Sequence, residues 1–417
     1  MGTKRIVFIG AAGEMCRLAI ERFAVADGDW ELALYDIRPD LLEQLVQRLP
    51  SGLATAARLD LYDREGLRAA IEGAALVVLG AGPYNRTAGP VMEACLQAKV
   101  PYLDFDDDIE STLHALSLHE DARAAGIPMY IGCGASPGFT NVLVADAAAE
   151  LDRVDNIDVY WVVGDERGAV GRAVLDHMLR VAAGPCMTWE NGGPVLHQSW
   201  AETRWTELGA GLGLTMVHET AHPEPVTLPR KYPDAKNIRC FGGLDPAGYN
   251  GMIRGVGLAV QTGKIPVEKA IDHLEALMLN KSGSVTGWRY ALSGLRNLVR
   301  TREATRGEVL GFLAKAAVGH TFPHRSALKV EVTGLRNGLP AVVERRTPVS
   351  GPGTYLFTDM AAATGTACAA FMVVALDDES VSRAGVFTPE EWAEPERFYK
   401  ALERVGTPRD EIFAISH

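Results

Sequence analysis

A short acidic run holds the densest group of chemically useful side chains in the sequence. Asp104, Asp106, Asp107 and Asp108 place four carboxylates within five residues, and the run overlaps the apolar stretch VPYLDF at 100–105. Carboxylates at the end of a buried strand can hold an amine or exchange a proton with a bound molecule. We expect Asp107 and Asp108 to cap the following helix, and we interpret Asp104 and Asp106 as candidate catalytic residues.

A glycine turn near the start of the sequence has the features of a phosphate-binding loop. The apolar strand-like run Ile6–Ile9 leads directly into Gly10–Gly13, and Glu14–Ala26 then has the apolar spacing of a helix. Glycines let the backbone bend sharply beside a diphosphate, and the N–H groups at the helix start receive its charge. The spacing is G-x-x-G instead of the dinucleotide fingerprint G-x-G-x-x-G, so an ordinary tight turn is the alternative.

The end of the next predicted strand favours a nucleotide over an ordinary turn. Trp30–Tyr35 is apolar and is followed by Asp36, where dinucleotide-binding domains hold the 2′-hydroxyl of the adenosine ribose. Arg38 can stack on adenine or meet a 2′-phosphate. Asp36 therefore favours NAD, Arg38 leaves NADP open, and the alternative for Asp36 is a residue that merely ends the strand.

Two further glycine turns follow predicted strands. Gly80–Pro83 comes directly after the apolar run Ala74–Leu79, and Ala135–Gly138 opens a later helix. Such turns allow close backbone approach to a ligand, here the ribose and nicotinamide half of the cofactor. Asp60 lies in the predicted third strand, Ala54–Leu61, and is expected beside the adenine or as a capping residue.

The order of predicted elements indicates an α/β fold. Strands and helices alternate through residues 1–150, which predicts a Rossmann-like doubly wound parallel sheet that binds a dinucleotide. The stretch 151–350 has alternating strands, hairpin signals and separate helices, with Asn156–Gly164 read as an antiparallel strand, and it predicts an inserted α+β domain with a mixed sheet. Residues 351–417 predict helices that return to the first domain.

Composition excludes several classes of partner. The net charge is −12, which argues against nucleic acid or an acidic membrane as a partner. The six cysteines form no C-x-x-C pair, and we expect a reduced, cytoplasmic protein without a signal peptide or membrane span. His218 and His222 are four residues apart, but prolines follow at once, so we expect no metal-binding helix and no metal.

Several stretches taken together resemble the saccharopine dehydrogenase superfamily. In chain order they are VFIGAAGEM at 7–15, GPY at 82–84, GPVMEAC at 89–95, YLD at 102–104, GASPG at 134–138, EPVTLPR at 224–230, TGTA at 364–367 and GVFTPE at 385–390. They run over nearly the whole length. The resemblance implies a Rossmann domain built from both chain ends, a middle domain with an extended sheet that binds substrate, and a homodimer.

The resemblance also implies a chemistry. It predicts an oxidoreductase that uses NAD or NADP to transfer hydride at a carbon–nitrogen bond of an amino-acid or polyamine-like small molecule. A carboxylate such as Asp104 or Asp106 would stabilise a cationic imine in a low dielectric. The predicted cofactor-binding residues are Gly10, Ala11, Ala12, Gly13, Glu14, Met15, Asp36, Arg38, Asp60, Leu61, Gly80, Ala81, Gly82, Pro83, Ala135, Pro137 and Gly138.

The remaining site predictions concern the substrate. Tyr84, directly after the Gly80–Pro83 turn, is the third catalytic candidate, and its neighbour Asn85 is placed to touch the substrate. If the substrate carries carboxylates, arginines must pair with them. The predicted substrate-binding arginines of the middle domain are Arg230, Arg254 and Arg289.

Three other functions remain open from the sequence. The superfamily includes reductases that act on carbonyl or enoyl groups. A synthase or lyase can keep NAD tightly bound and regenerate it within one cycle. A non-catalytic, nucleotide-sensing protein is favoured mildly by the missing third glycine of the fingerprint.

Overall fold

Strands and helices alternate over the first third of the chain in the computed structural model, which describes residues 3–164, 171–209, 211–279, 281–377 and 383–412. The strands are β1 Lys4–Ile9, β2 Trp30–Asp36, β3 Ala54–Arg58, β4 Leu76–Leu79, β5 Tyr102–Asp104 and β6 Pro128–Tyr130. The helices are α1 Glu14–Phe23, α2 Pro39–Arg48, α3 Arg64–Ile71, α4 Tyr84–Ala98, α5 Ile109–Ser117, α6 His119–Ala125 and α7 Phe139–Ala148. The apolar side chains of β4 are all buried, as continuous apolar runs in parallel sheets predict.

Two element boundaries differ from the sequence prediction. Helix α4 begins at Tyr84 and contains Pro90, whereas the preference of proline for a first turn predicted a start at Gly89. The Thr87 hydroxyl donates to the Pro83 carbonyl at 3.2 Å and secures the earlier first turn. Strand β3 ends at Arg58, so Asp60 lies in the connection to α3 and not in the strand.

The second part of the chain combines a mixed sheet with a group of helices. Its strands are β7 Arg153–Val163, β8 Pro185–Glu190, β9 Gly193–Gln198, β10 Thr203–Glu207, β11 Leu214–Glu219, β12 Asn237–Leu244, β13 Ala327–Arg336 and β14 Leu339–Arg346. Its helices are α8 Arg172–Ala183, α9 Glu224–Thr227, α10 Gly248–Gln261, α11 Val267–Met278, α12 Val285–Arg300 and α13 Arg306–Ala317, with a 3₁₀ turn at Leu228–Arg230.

The mixed sheet has the order β10-β11-β12-β7-β13-β14, with β8 beside β12 and β9 beside β8. Strand β7 pairs antiparallel with β13 but parallel with β12, so the prediction of a purely antiparallel strand was wrong. The local signal, alternation of apolar and polar residues, reports a half-buried strand and carries no information about the direction of its neighbours. Asn191–Gly192 and Asn337–Gly338 have positive φ and form the two predicted hairpin turns.

The carboxyl-terminal segment returns to the first sheet. It contains α14 Met360–Asp377, β15 Gly385–Phe387, α15 Pro389–Trp392, α16 Pro395–Arg404 and α17 Arg409–Ile412. Among the described residues, β15 adds a seventh parallel strand, and the order is β15-β6-β5-β4-β1-β2-β3. The sequence analysis missed β15, because three residues are too few to show a period. The first compact unit therefore comprises Met1–Ala149 and Ala361–Ile412, and the second Glu150–Met360.

Helix α14 is the central helix of the first unit. It is long and apolar enough to cross a membrane by length and composition, but 78% of its apolar window is buried inside the protein. A Cβ on Gly365 would lie 2.8 Å from the Met15 carbonyl oxygen, so this glycine lets α14 lie directly on the backbone of α1. The buried-helix prediction from its composition is thus confirmed.

Candidate functional site

The turn after β1 is packed tightly against the turn after β4. Gly10 has φ +83°, and a Cβ at this position would lie 2.5 Å from the Cβ of Ala81. The Gly10 and Ala11 N–H groups both donate to the Tyr35 carbonyl, at 2.8 and 3.0 Å. Only glycine fits this conformation and this distance, so the turn keeps the close backbone approach that a diphosphate requires.

The start of α1 supplies the remaining features of a phosphate-binding loop. Gly13 is the N-cap of α1 and a Cβ there would lie 3.2 Å from the Gly10 carbonyl oxygen. Glu14 and Met15 form the first turn and are half-buried. A helix of ten residues that begins directly at a glycine turn presents backbone N–H groups to an anion.

Asp36 and Arg38 form an ion pair at the end of β2. The Asp36 carboxylate is buried and accepts hydrogen bonds from the Ala12 N–H at 3.0 Å and from the Arg38 N–H at 3.1 Å. The Arg38 Nε donates to the same carboxylate at 3.0 Å. The Arg38 side chain is 49% exposed, against 4% for Asp36, so the guanidinium faces solvent while the carboxylate braces the glycine turn.

The other turns of the first unit carry the remaining cofactor candidates. Gly80 packs on Cys16, where a Cβ would lie 2.4 Å from the cysteine Cβ, and Gly82–Pro83 is a cis peptide. Asp60 is exposed, accepts the Tyr62 N–H at 3.0 Å and lines a cleft of about 370 Å³ beside Tyr35 and Arg58, and Leu61 is half-buried next to it. These placements leave the assignment of Asp60 and Leu61 to adenine a prediction.

The second glycine turn is built around Asn141, which the sequence analysis did not single out. Gly138 has φ +128°, and its N–H donates to the Asn141 Oδ1 at 2.9 Å. The Asn141 Nδ2 donates to the Glu390 Oε2 at 2.8 Å, and burial raises the pKa of Glu390 to about 7. Asparagine three residues past a glycine turn is the signal that would have identified this anchor.

The acidic run lies in the interior and not on an open surface. Asp104 accepts hydrogen bonds from the Tyr102 hydroxyl at 2.8 Å, from the Gly132 N–H at 2.8 Å and from the Asp106 N–H at 3.2 Å. Burial raises the pKa of Asp104 to about 6, although the three hydrogen bonds that its carboxylate accepts lower it. The carboxylate thus joins the ends of β5 and β6, and its catalytic role stays a prediction.

Asp106 has a similar environment. Its carboxylate accepts the Ser111 hydroxyl and, at 2.8 Å, the N–H of Asp108, the residue that precedes α5. Burial, followed by the nearby Asp104, raises the pKa of Asp106 well above its usual value. The two buried carboxyls share one loop, and the ionised form of Asp104 disfavours ionisation of Asp106, because two negative charges close together in the interior oppose each other.

Tyr84 is buried at the start of α4 and Asn85 beside it is exposed. The Tyr84 hydroxyl lies 3.3 Å from the Leu79 carbonyl oxygen, and its ring meets Phe105 edge-on. Burial and then the charge of Asp104 raise the pKa of Tyr84 well above 10. The side chain therefore remains protonated and can donate a hydrogen bond, but it cannot serve as a base at neutral pH.

The three predicted substrate-binding arginines lie on three separate elements of the second unit. Arg254 in α10 is mostly buried and pairs with the Glu303 carboxylate at 3.4 Å. Arg230 in the 3₁₀ turn and Arg289 in α12 are exposed. Arg254 is thus already committed to an internal carboxylate, and the substrate roles of all three remain predictions.

Comparisons with known proteins agree with the sequence prediction for the first unit. Residues 6–129 match the family model described as the saccharopine dehydrogenase NADP binding domain. Carboxynorspermidine synthase from Vibrio alginolyticus is 28% identical over 203 residues, which are 44% of this chain and 47% of that protein. Trans-acting enoyl reductase from Mycobacterium leprae is 26% identical over 191 residues, 41% of this chain and 44% of that protein.

One solved structure matches almost the whole chain. Apo saccharopine dehydrogenase (L-Glu forming) from Saccharomyces cerevisiae covers 96% of this chain and 97% of its own, with a TM-score of 0.62 and 16% identity. This likeness establishes the fold, and the sequence relatives align over only about half of their length. The chain therefore has the fold of that saccharopine dehydrogenase, and the match of residues 6–129 to the NADP binding domain supports NAD or NADP as the cofactor.

Proposed function

We propose that the protein is an NADP(H)-dependent oxidoreductase that reduces the carbon–nitrogen double bond of an imine formed by a small amine and an aldehyde. The relative named carboxynorspermidine synthase supports a substrate of polyamine type that carries a carboxylate. The first unit binds the cofactor through the Gly10–Gly13 turn.

The ion pair of Asp36 with Arg38 is the observation that carries the cofactor choice. The buried carboxylate already has donors from Ala12 and Arg38 on both oxygens. A carboxylate has about four acceptor sites, so a ribose 2′-hydroxyl would compete with the guanidinium for them. A 2′-phosphate instead binds the half-exposed guanidinium directly, since Arg is well suited to phosphate. NADPH is therefore the preferred cofactor.

The reaction is a reductive condensation. A primary amine adds to an aldehyde with loss of water, and the imine takes up a proton. An NADPH held by the Gly10–Gly13 turn and Arg38 would supply hydride for the imine carbon, and the products would be a secondary amine and NADP⁺. The protein's part is to bind the cofactor and the imine, to orient them and to exclude water from the site.

The test uses a panel of short primary diamines mixed with an aldehyde that carries an α-amino acid group. We expect NADPH oxidation only when amine and aldehyde are both present, and a secondary amine of the summed mass minus water plus two hydrogens. NADPH that carries two deuterium atoms at C4 should transfer one of them to that product. Oxidation that requires the aldehyde alone would instead identify a carbonyl reductase.

An enoyl reductase is the second candidate, because the Mycobacterium leprae relative carries that name. In this reaction hydride adds to the β-carbon of a carbon–carbon double bond conjugated to a carbonyl, and a proton adds to the α-carbon. An unsaturated thioester that consumes NADPH when the amine and aldehyde mixtures do not would favour this candidate.

A homodimer is a further prediction from the superfamily resemblance. Light scattering coupled to size-exclusion chromatography tests it directly, since the chain mass is 44.9 kDa. A dimer is expected to elute at twice that mass, and a monomer at all protein concentrations would contradict the prediction.

A further inference from the structure

A compact set of metal-ligating side chains lies in the second unit. The set consists of His222, Glu224 and Cys240, and we call it the His–Glu–Cys cluster. All three residues are buried, and each offers one ligand atom within 4.8 Å of the other two. Imidazole nitrogen, carboxylate oxygen and thiolate sulfur are the three donor types that zinc takes in proteins. We propose that this cluster binds one divalent ion of the zinc class, a property that does not depend on the proposed reaction.

The backbone holds the three donors in place before any ion arrives. His222 and Glu224 flank Pro223, whose φ is −68°, and Pro225 follows directly in α9. Prolines restrict the segment, so little conformational freedom remains to be lost on binding. Cys240 is in the middle of β12, where it pairs with Val159 of β7 in the interior of the sheet. One strand and one rigid turn therefore present all three ligands.

The distances within the cluster suit a tetrahedral ion after small side-chain movements. The His222 Nδ1 lies 2.6 Å from the Glu224 Oε2. Tetrahedral bonds of about 2.0–2.3 Å separate two donor atoms by about 3.3–3.7 Å. An ion would open this hydrogen bond by about 1 Å and take its place, with the Cys240 sulfur within 4.8 Å of both donor atoms.

The charges of the cluster balance those of the ion. A divalent cation with one carboxylate and one thiolate has zero net charge when the imidazole is neutral. A buried site with zero net charge avoids the high cost of an uncompensated ion in the interior. Three protein ligands also leave a fourth position for water, as in open zinc sites.

Two aromatic rings lie beside His222, and one of them provides a signal for binding. The Trp161 ring lies 5.7 Å from the ring of His222, centroid to centroid, and the His177 ring lies 6.4 Å from it. Gly242 makes room for the indole, since a Cβ there would lie 2.2 Å from it. A bound Co²⁺ beside Trp161 should quench the fluorescence of that indole.

The test is cobalt and zinc binding by the full-length chain after treatment with a strong chelator. We expect one Co²⁺ per chain, tetrahedral d–d bands in the visible range and a thiolate-to-cobalt charge-transfer band. Zn²⁺ should displace the cobalt and abolish both signals. Cys240→Ser should remove the charge-transfer band, and His222→Asn or Glu224→Gln should weaken zinc binding by at least about 100-fold.

Cys186→Ser is the matched control, because Cys186 is another buried cysteine of the same unit that lies outside the cluster. It should leave the spectrum unchanged, and circular dichroism establishes that each variant is folded. If Cys240→Ser does not fold, Trp161→Phe provides the second test. This variant should still bind one Co²⁺ per chain but lose the fluorescence quenching, which would place the ion beside the Trp161 indole. Wild-type protein that takes up no stoichiometric Co²⁺ or Zn²⁺, or a Cys240→Ser protein with an unaltered charge-transfer band, overturns the proposal.

Discussion

The guanidinium of Arg38 holds both oxygens of the Asp36 carboxylate, with Nε 3.0 Å from Oδ1 and Nη2 3.4 Å from Oδ2. The same carboxylate accepts the Ala12 N–H of the glycine turn. One buried acid therefore connects the Gly10–Gly13 turn to the cation that we propose recognises a 2′-phosphate. The sequence left NAD and NADP open, and the contact between Arg38 and Asp36 is the observation behind the proposed preference for NADP.

Replacing Arg38 with Gln should weaken NADPH binding and spare NADH. Loss of a charge-assisted contact to phosphate predicts an increase of about tenfold or more in the NADPH Kd. NADH lacks the 2′-phosphate, and its Kd should change by less than about threefold. Calorimetric titration with both cofactors measures the two effects.

The control for that experiment is Arg48→Gln. Arg48 lies in the last turn of α2, with a side chain 48% exposed, and is thus matched to Arg38 in exposure. It should leave both dissociation constants unchanged. Equal losses of NADPH and NADH affinity in Arg38→Gln would show that Arg38 acts on the common part of the cofactor.

Gly10→Ala should destabilise the protein far more than the same substitution at Gly52, another glycine with a left-handed conformation. The left-handed conformation costs an alanine about 1–2 kcal/mol, and the 2.5 Å approach to Ala81 adds an overpacking cost of about 1–3 kcal/mol. Gly52 has φ +81° and nothing within 4 Å of a Cβ, so Gly52→Ala carries the first cost alone. Urea unfolding measures both stabilities.

The same pair separates binding from stability. Gly10→Ala should bind NADPH at least about tenfold more weakly, while Gly52→Ala should bind it as the wild type does. If the two variants lost equal stability and bound NADPH equally well, the close contact of Gly10 with Ala81 would have no role in the cofactor site.

The parts of the fold that could be predicted are those with a local cause. The glycine turn at Gly10 follows from backbone sterics, and the buried strand β4 follows from an unbroken apolar run. The direction of β7 relative to β12 could not be predicted, because strand pairing depends on residues far away in sequence. Strand β15 could not be predicted because its three residues are too few to show a period, and its partner β6 lies some 250 residues earlier.

In the candidate site, too, the features that could be predicted have a local cause, and the others depend on residues distant in sequence. Asp36 was identified from its position at the end of a strand, which is a local feature. The ion pair of Arg254 with Glu303 joins α10 to the connection between α12 and α13, and no sequence pattern predicted it. Asp104 was chosen for its residue type, yet its three hydrogen-bond donors could be found only in the folded chain.

Asn141→Ala should destabilise the second glycine turn. The side chain accepts the Gly138 N–H and donates to the buried Glu390, so its removal leaves two buried polar groups without this partner. Each such loss costs about 1–3 kcal/mol, which predicts a total of about 2–6 kcal/mol for the two groups. Asn85→Ala, at an exposed position, should change stability by no more than about 0.5 kcal/mol. A small effect at Asn141 would mean that the turn holds its shape through the backbone alone.

Asp104→Asn should alter the pH dependence of stability more than stability itself. An asparagine can keep the three contacts, because its oxygen accepts the Gly132 and Asp106 N–H groups and its amide donates to the Tyr102 oxygen. The variant should therefore fold, and we expect it to bind NADPH with the wild-type affinity.

The sign of the pH effect follows from the raised pKa of Asp104. Folding raises this pKa from 3.8 to about 6, so the folded wild type binds the proton more tightly than the unfolded chain does. The stability that this tighter proton binding gives the wild type is fully present below about pH 4 and is lost as the pH rises through about 6.

The Asp104→Asn variant has no such proton to lose. Its stability relative to the wild type should therefore increase by up to about 3 kcal/mol between pH 4 and 7. Urea unfolding at a series of pH values measures this difference. Parallel curves for wild type and Asp104→Asn would show that Asp104 is not protonated on folding and that its buried hydrogen bonds compensate its charge.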